Sequence, residues 1–129
     1  MLALDTNVLV RVLIDDPDAP AQCATARAEV QAAGEAYIAQ VVQIETVWVL
    51  SGAYGLDKGT LMKVLHTVLD HPAFHLQQPE IFRAALAYYR AGHADFADCM
   101  ILAESVATGG ELASFDRKLG KLAGVRLLK

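Results

Sequence analysis

The chain holds 129 residues, 54% of them hydrophobic and 20% charged, with a formal net charge of −4 at pH 7. That length fits one domain, residues 1–129, with no room for a second, and the apolar share excludes a disordered chain. The net charge argues against a general nucleic-acid binder, and Cys23 and Cys99 stand at no metal or redox spacing, which points away from a disulfide-stapled secreted module and toward the cytoplasm.

The longest uncharged runs fall short of the ~18 residues of a membrane span, so no membrane is expected. MLALDTN has no basic region ahead of its apolar stretch and does not read as a signal peptide. LALD at 2–5 reads as a short strand ending in an acid, and residues 7–14 as an apolar helix. DDPDAP at 15–20 is a turn, with Asp18 placed to cap a helix that runs to about Ala33 and stops at Gly34. AYIA at 36–39 is a second strand, followed by a long apolar helix over 40–54 that ends near Gly55. Asp57 caps the next helix, where Leu61, Val64, Leu65, Val68 and Leu69 recur at helical spacing; Pro72 breaks the pattern, and AFHLQ reads as a minor strand. PEIFRAALAYYR opens with Pro79 in the first turn and sets Phe82, Leu86 and Tyr89 on one side. After the Gly92-His93-Ala94 turn come a helix over 95–107, a stop at Gly109-Gly110, a strand in ELAS, a short helix in FDRKLGKL and a final strand in VRLL. Strands alternating with helices predict an α/β fold, with a mainly parallel sheet of four or five strands between two helical layers.

Four acidic positions stand out against this layout. Asp5 ends the first strand, where the carboxyl edge of a parallel sheet usually takes its ligand; it is also well placed to cap the helix that follows. Asp116 repeats that placement after strand ELAS. Glu45 has Val41, Val42, Trp48 and Val49 at helical neighbour positions, and an ionised Glu pressed into an apolar face must be paired, metal-bound or protonated. Asp95 and Asp98 lie three apart at a helix start, on one side of it, where they would repel each other without a cation. Acids at two strand ends and two helix positions are expected to meet in one crevice. Oxygen-only ligation, with no His or Cys at ligand spacing, suits Mg²⁺ or Mn²⁺ better than Zn²⁺, and metal-bound water can attack a phosphodiester. Pro72 interrupts any helix that would align His71 with His75, so His66, His71 and His75 are not read as a metal cluster. Trp48 reads as core.

These residues resemble the PIN-domain family, and within it the VapC-like toxin ribonucleases of type II toxin–antitoxin pairs. The pieces are LALDTNVLVR, Glu45 in VVQIETVWVL, ADFADCMILA at 94–103 and ASFDRKLGKLAGVRLL at 113–128. In order, they span almost the whole chain. The resemblance implies a Mg²⁺- or Mn²⁺-dependent endoribonuclease with Asp5, Glu45, Asp98 and Asp116 around the metal. Asp5, Asp98 and Asp116 are its ligands, and Asp95, Asn7 and Ser114 are auxiliary. Cys99 departs from the Ala common at that position, with little consequence for packing. The resemblance further implies an antitoxin protein that covers an apolar groove, and a homodimer; the helices at 7–14 and 40–69 carry more apolar residues than one face of a small domain needs.

Residues 1–116 hold all 15 acids against six basic residues, whereas 117–129 hold five basic residues and no acid. Arg117, Lys118 and Lys121 follow Asp116 directly, and on a short helix Arg117 and Lys121 share a face. They are the expected contacts to RNA phosphates. Competing readings are a PIN nuclease of RNA processing rather than a toxin, a module whose acids hold a structural metal, and a phosphoacceptor signalling domain. The last wants an acidic pair after the first strand and a Lys after a late one, and neither is present.

Overall fold

A computed structural model describes all of residues 1–129, which divide into two compact units, Met1–Gln77 and Gln78–Lys129. In the first unit three strands, β1 (Leu2–Ala3), β2 (Ala36–Ile38) and β3 (Phe74–Leu76), pair in parallel in the order β1-β2-β3, with Leu2 opposite Ala36 and Ala36 opposite Phe74. Between them run α1 (Thr6–Leu13), α2 (Pro20–Ala33), α3 (Gln40–Gly52) and α4 (Lys58–Asp70). The strands are short because each gives way to a helix start or turn within a residue or two. Helix α2 ends where Gly34 takes φ 76°, a left-handed conformation that glycine adopts without a Cβ penalty. Its start differs from expectation. Pro20 occupies the first helical position, so the N-cap is Ala19, whose methyl side chain has no acceptor to offer. Asp18 instead gives its backbone N–H to Asp16.

The residue that organises this turn is Asp16, which accepts hydrogen bonds from Tyr54 Oη at 2.7 Å and from Arg11 at 3.2 Å. The Tyr54 hydroxyl and then the Asp18 amide hold the Asp16 carboxyl below its usual range, and the same bond to Asp16 pushes the Tyr54 phenol up. Leu9, Val10, Ile38, Leu50, Leu61 and Leu65 are fully buried. At the carboxyl ends of β2 and β3, buried Gln43 donates from Nε2 to the carbonyls of Ile38 and Gln77, while Gln77 Oε1 accepts from the Gln40 N–H that opens α3.

In the second unit, α5 (Pro79–Ala91) packs on α6 (Phe96–Ala107) through Phe82 and Phe96, whose ring centroids lie 5.6 Å apart edge to face. Strands β4 (Leu112–Ser114) and β5 (Val125–Leu127) pair in parallel. The helix expected in FDRKLGKL is only a 3₁₀ turn over Leu119–Lys121, so Arg117 precedes it and does not share a helical face with Lys121. Gly120 sits where an added Cβ would meet Leu127 Cδ1 at 3.0 Å, and this turn therefore lies tightly on β5. Every strand pairing is parallel, as expected, but the pairings form ladders of three and two strands instead of one. No helix is long and apolar enough to cross a membrane.

Candidate active site

In the first unit, pairing reaches to Leu4, whose N–H meets the Tyr37 carbonyl at 3.0 Å. Asp5 follows in extended conformation and caps α1, Oδ1 accepting from the Val8 N–H at 2.9 Å. The capping role open to Asp5 is thus real, and it commits one carboxylate oxygen while leaving Oδ2 to face other partners. Glu45, from the middle of α3, accepts a hydrogen bond from Thr6 Oγ1 at 2.9 Å. It is exposed rather than pressed into an apolar face. Val41 and Trp48, on its side of α3, are 62% and 57% exposed, so Trp48 is not core either. The inward face of α3 carries Val42, Gln43, Thr46, Val47 and Leu50. Asn7 is exposed and lines an open groove of about 480 Å³ with Leu4, Val8, Arg11 and Thr25. The hydroxyl that reaches an acid belongs to its neighbour, Thr6, which sequence reasoning passed over; the Asp-Thr pair at a helix start was the available signal.

In the second unit, Asp95 is the N-cap residue of α6, yet its side chain makes no capping bond. Its carboxylate is turned to other use. Asp98, one turn on, is partly buried, and its carboxyl is raised above the usual range by that burial first, then by the negative charges of Asp95 and Asp116 and a hydrogen bond with Asp95. Three acids expected at the site therefore feel one another here. Asp116 is held by its own turn: its N–H donates to Ser114 Oγ at 3.0 Å, and its Oδ1 accepts from the N–H groups of Lys118 at 2.8 Å and Leu119 at 3.2 Å. Ser114 thus fixes the Asp116 backbone. Arg117, Lys118 and Lys121 are all exposed.

A PIN domain model matches residues 2–125. The chain belongs to the PIN domain family. The family's three-layer α/β/α fold is the class expected from the strand–helix alternation. A similar protein is the VapC ribonuclease of Aquifex aeolicus (strain VF5), 27% identical over 124 residues that cover 95% of this chain and 92% of that protein.

The acids expected at the site offer oxygen donors alone, the chemistry that suits a hard divalent cation. Burial first, and then the like charges of Asp95 and Asp116, hold the Asp98 carboxyl up, and a divalent cation would relieve the second of these, so the donor chemistry is compatible with such an ion. Within each unit, no group of three or more His, Cys, Asp or Glu side chains gathers closely enough to hold a metal by itself. The histidines serve other ends: His71 stacks on Phe74, and His75 pairs with Glu35 at 3.3 Å.

Proposed function

We propose that this PIN protein is a metal-dependent endoribonuclease and the toxin of a toxin–antitoxin pair. The observation that carries the reading is the proximity of Asp95, Asp98 and Asp116, which act on one another, alongside two further acids, Asp5 and Glu45, at the start of α1 and on α3. The family match spans residues 2–125, and we take the chain to be a single PIN domain. Asp5, Asp98 and Asp116 would hold Mg²⁺ or Mn²⁺, which would supply an acidified water and offset charge on the departing oxygen. Glu45 takes the proton from the attacking water. Asp95 keeps Asp98 oriented, and Ser114 holds Asp116 in its turn. Arg117, Lys118 and Lys121 hold RNA phosphates. Asn7 stays auxiliary, on the wall of the α1–α2 groove.

That groove, with its apolar lining, is the surface of the first unit suited to an antitoxin segment. The exposed Val41 and Trp48 support a homodimer, since apolar side chains this large are more often covered than left in water. Light scattering at micromolar concentration should give twice the monomer mass; a monomer removes the dimer. A cytoplasmic location agrees with two buried thiols and no disulfide. The function is tested by incubating the purified chain with RNA, with Mg²⁺, with Mn²⁺ and with chelator. Cleavage should need the metal, Asp5→Asn should abolish it, and Glu45→Gln should lower kcat by roughly 10²–10⁴-fold. Asp5→Asn cleaving at the wild-type rate overturns the assignment.

A further inference from the structure

Glu45 is exposed and long, and three side-chain torsions separate its carboxylate from α3. A group in that position ordinarily samples many rotamers. One contact restrains it: Thr6 Oγ1 donates to Oε1 at 2.9 Å across 39 residues of sequence. Thr6 is itself well anchored. It is the first residue of α1, directly after the cap Asp5, and its β-branch leaves few χ1 states in a helix. The same helix start therefore holds two acids, Asp5 through the Val8 N–H and Glu45 through the Thr6 hydroxyl.

We propose that Thr6 is the positioning residue for Glu45, fixing Oε1 so that Oε2 is presented for proton transfer. The inference rests on the reading of Glu45 as proton acceptor. Thr6 touches neither water nor RNA in this role and acts only through Glu45. Groups that orient a reacting side chain in this way are typically worth about 10–100-fold in activity. The hydroxyl is the part that matters. Thr6→Val keeps the branch and removes the donor, whereas Thr6→Ser keeps the donor and removes the branch.

Two measurements test it. In the metal-free protein, three-bond NMR couplings along the Glu45 side chain should report one dominant rotamer in wild type and in Thr6→Ser, and averaged values in Thr6→Val. In the RNA cleavage assay, Thr6→Val should lower kcat by about 10–100-fold with KM for RNA changed less than about twofold, and Thr6→Ser should restore most of kcat. Averaged couplings in wild type overturn the proposal. So does wild-type kcat in Thr6→Val, or an equal loss in both variants that follows their melting temperatures. The couplings are read without cleavage, so a chain that ordered Glu45 but cut no RNA would remove the nuclease reading and leave the positioning contact standing.

Discussion

Asp98 and Glu45 are both carboxylates on helices with apolar neighbours, yet their surroundings differ. Glu45 lies on the outward face of α3, and because that helix is apolar nearly all round, the identity of its neighbours does not reveal which face turns inward. Val41 and Trp48 stay exposed beside it, and Gln43 and Thr46 go in. Asp98 lies near the start of α6, where burial and two like charges act together on its carboxyl. Its folded pKa is raised above the value in the unfolded chain. Stability linked to it is therefore fully present below that unfolded value and is lost as pH rises through the folded one. In metal-free buffer, Asp98→Asn should match wild type at about pH 4 and melt progressively higher than wild type as pH rises toward neutrality. Mg²⁺ should stabilise wild type and close the gap, since binding to the native state alone raises the melting temperature. A gap that did not change with pH would show that neither burial nor the like charges burden the Asp98 carboxylate.

Helix starts were legible where one side chain decides them. Asp57 does cap α4, accepting from the Thr60 N–H at 2.8 Å, as its place before the periodic run predicts. Asp18 does not cap α2, because Pro20 fixes the first helical position one residue later and Asp16 draws the turn toward Tyr54 and Arg11. The acids proposed for the site stood out in the sequence by their places at strand ends and on helices, but their partners were not visible there. Thr6 meets Glu45 only after α1 and α3 are brought side by side, and that is tertiary information. Gln43 is the clearest case at this scale. It reads as one polar residue in an apolar run, yet it is 2% exposed and ties the ends of β2 and β3 through two backbone carbonyls. Ile38 O has a second donor, the Gln77 N–H at 2.9 Å. Gln43→Met keeps the side chain's size and removes the donor to the part-buried Gln77 carbonyl, but it also removes the buried, unpaired Gln43 Oε1, so the net cost in urea unfolding should be about 1 kcal/mol. An unchanged midpoint and slope would show that the clamp contributes nothing net.

Over the whole molecule, charge is unevenly placed, and the imbalance has to be reconciled with the RNA substrate proposed above. An acidic chain with clustered carboxylates repels phosphate, and one divalent ion offsets only two charges. Basic groups must then supply the remaining attraction, and the chain concentrates them after Asp116. Arg126 is engaged with Glu111 at 3.2 Å. Arg117, Lys118 and Lys121 are exposed, with no carboxylate within ion-pair distance. Their presentation is not the helical face that spacing suggests: Arg117 lies in the turn and Lys121 closes the 3₁₀ segment. What places them is the Asp116 turn, whose Oδ1 holds the Lys118 and Leu119 N–H groups. Backbone contacts of this kind give affinity without reading bases. Replacing Arg117 and Lys121 with Ala should therefore weaken binding to all single-stranded RNAs alike. The dependence of log affinity on log salt should flatten by about 0.7 for each phosphate no longer neutralised, roughly 1.4 for the pair, as fewer counterions are released. Metal affinity should stay as in wild type, because neither residue supplies an oxygen ligand. Binding measured in the Asp5→Asn background keeps the RNA intact during titration. A salt slope that is the same with and without the two basic residues would leave them as ordinary solvated charge and require another surface to hold the RNA.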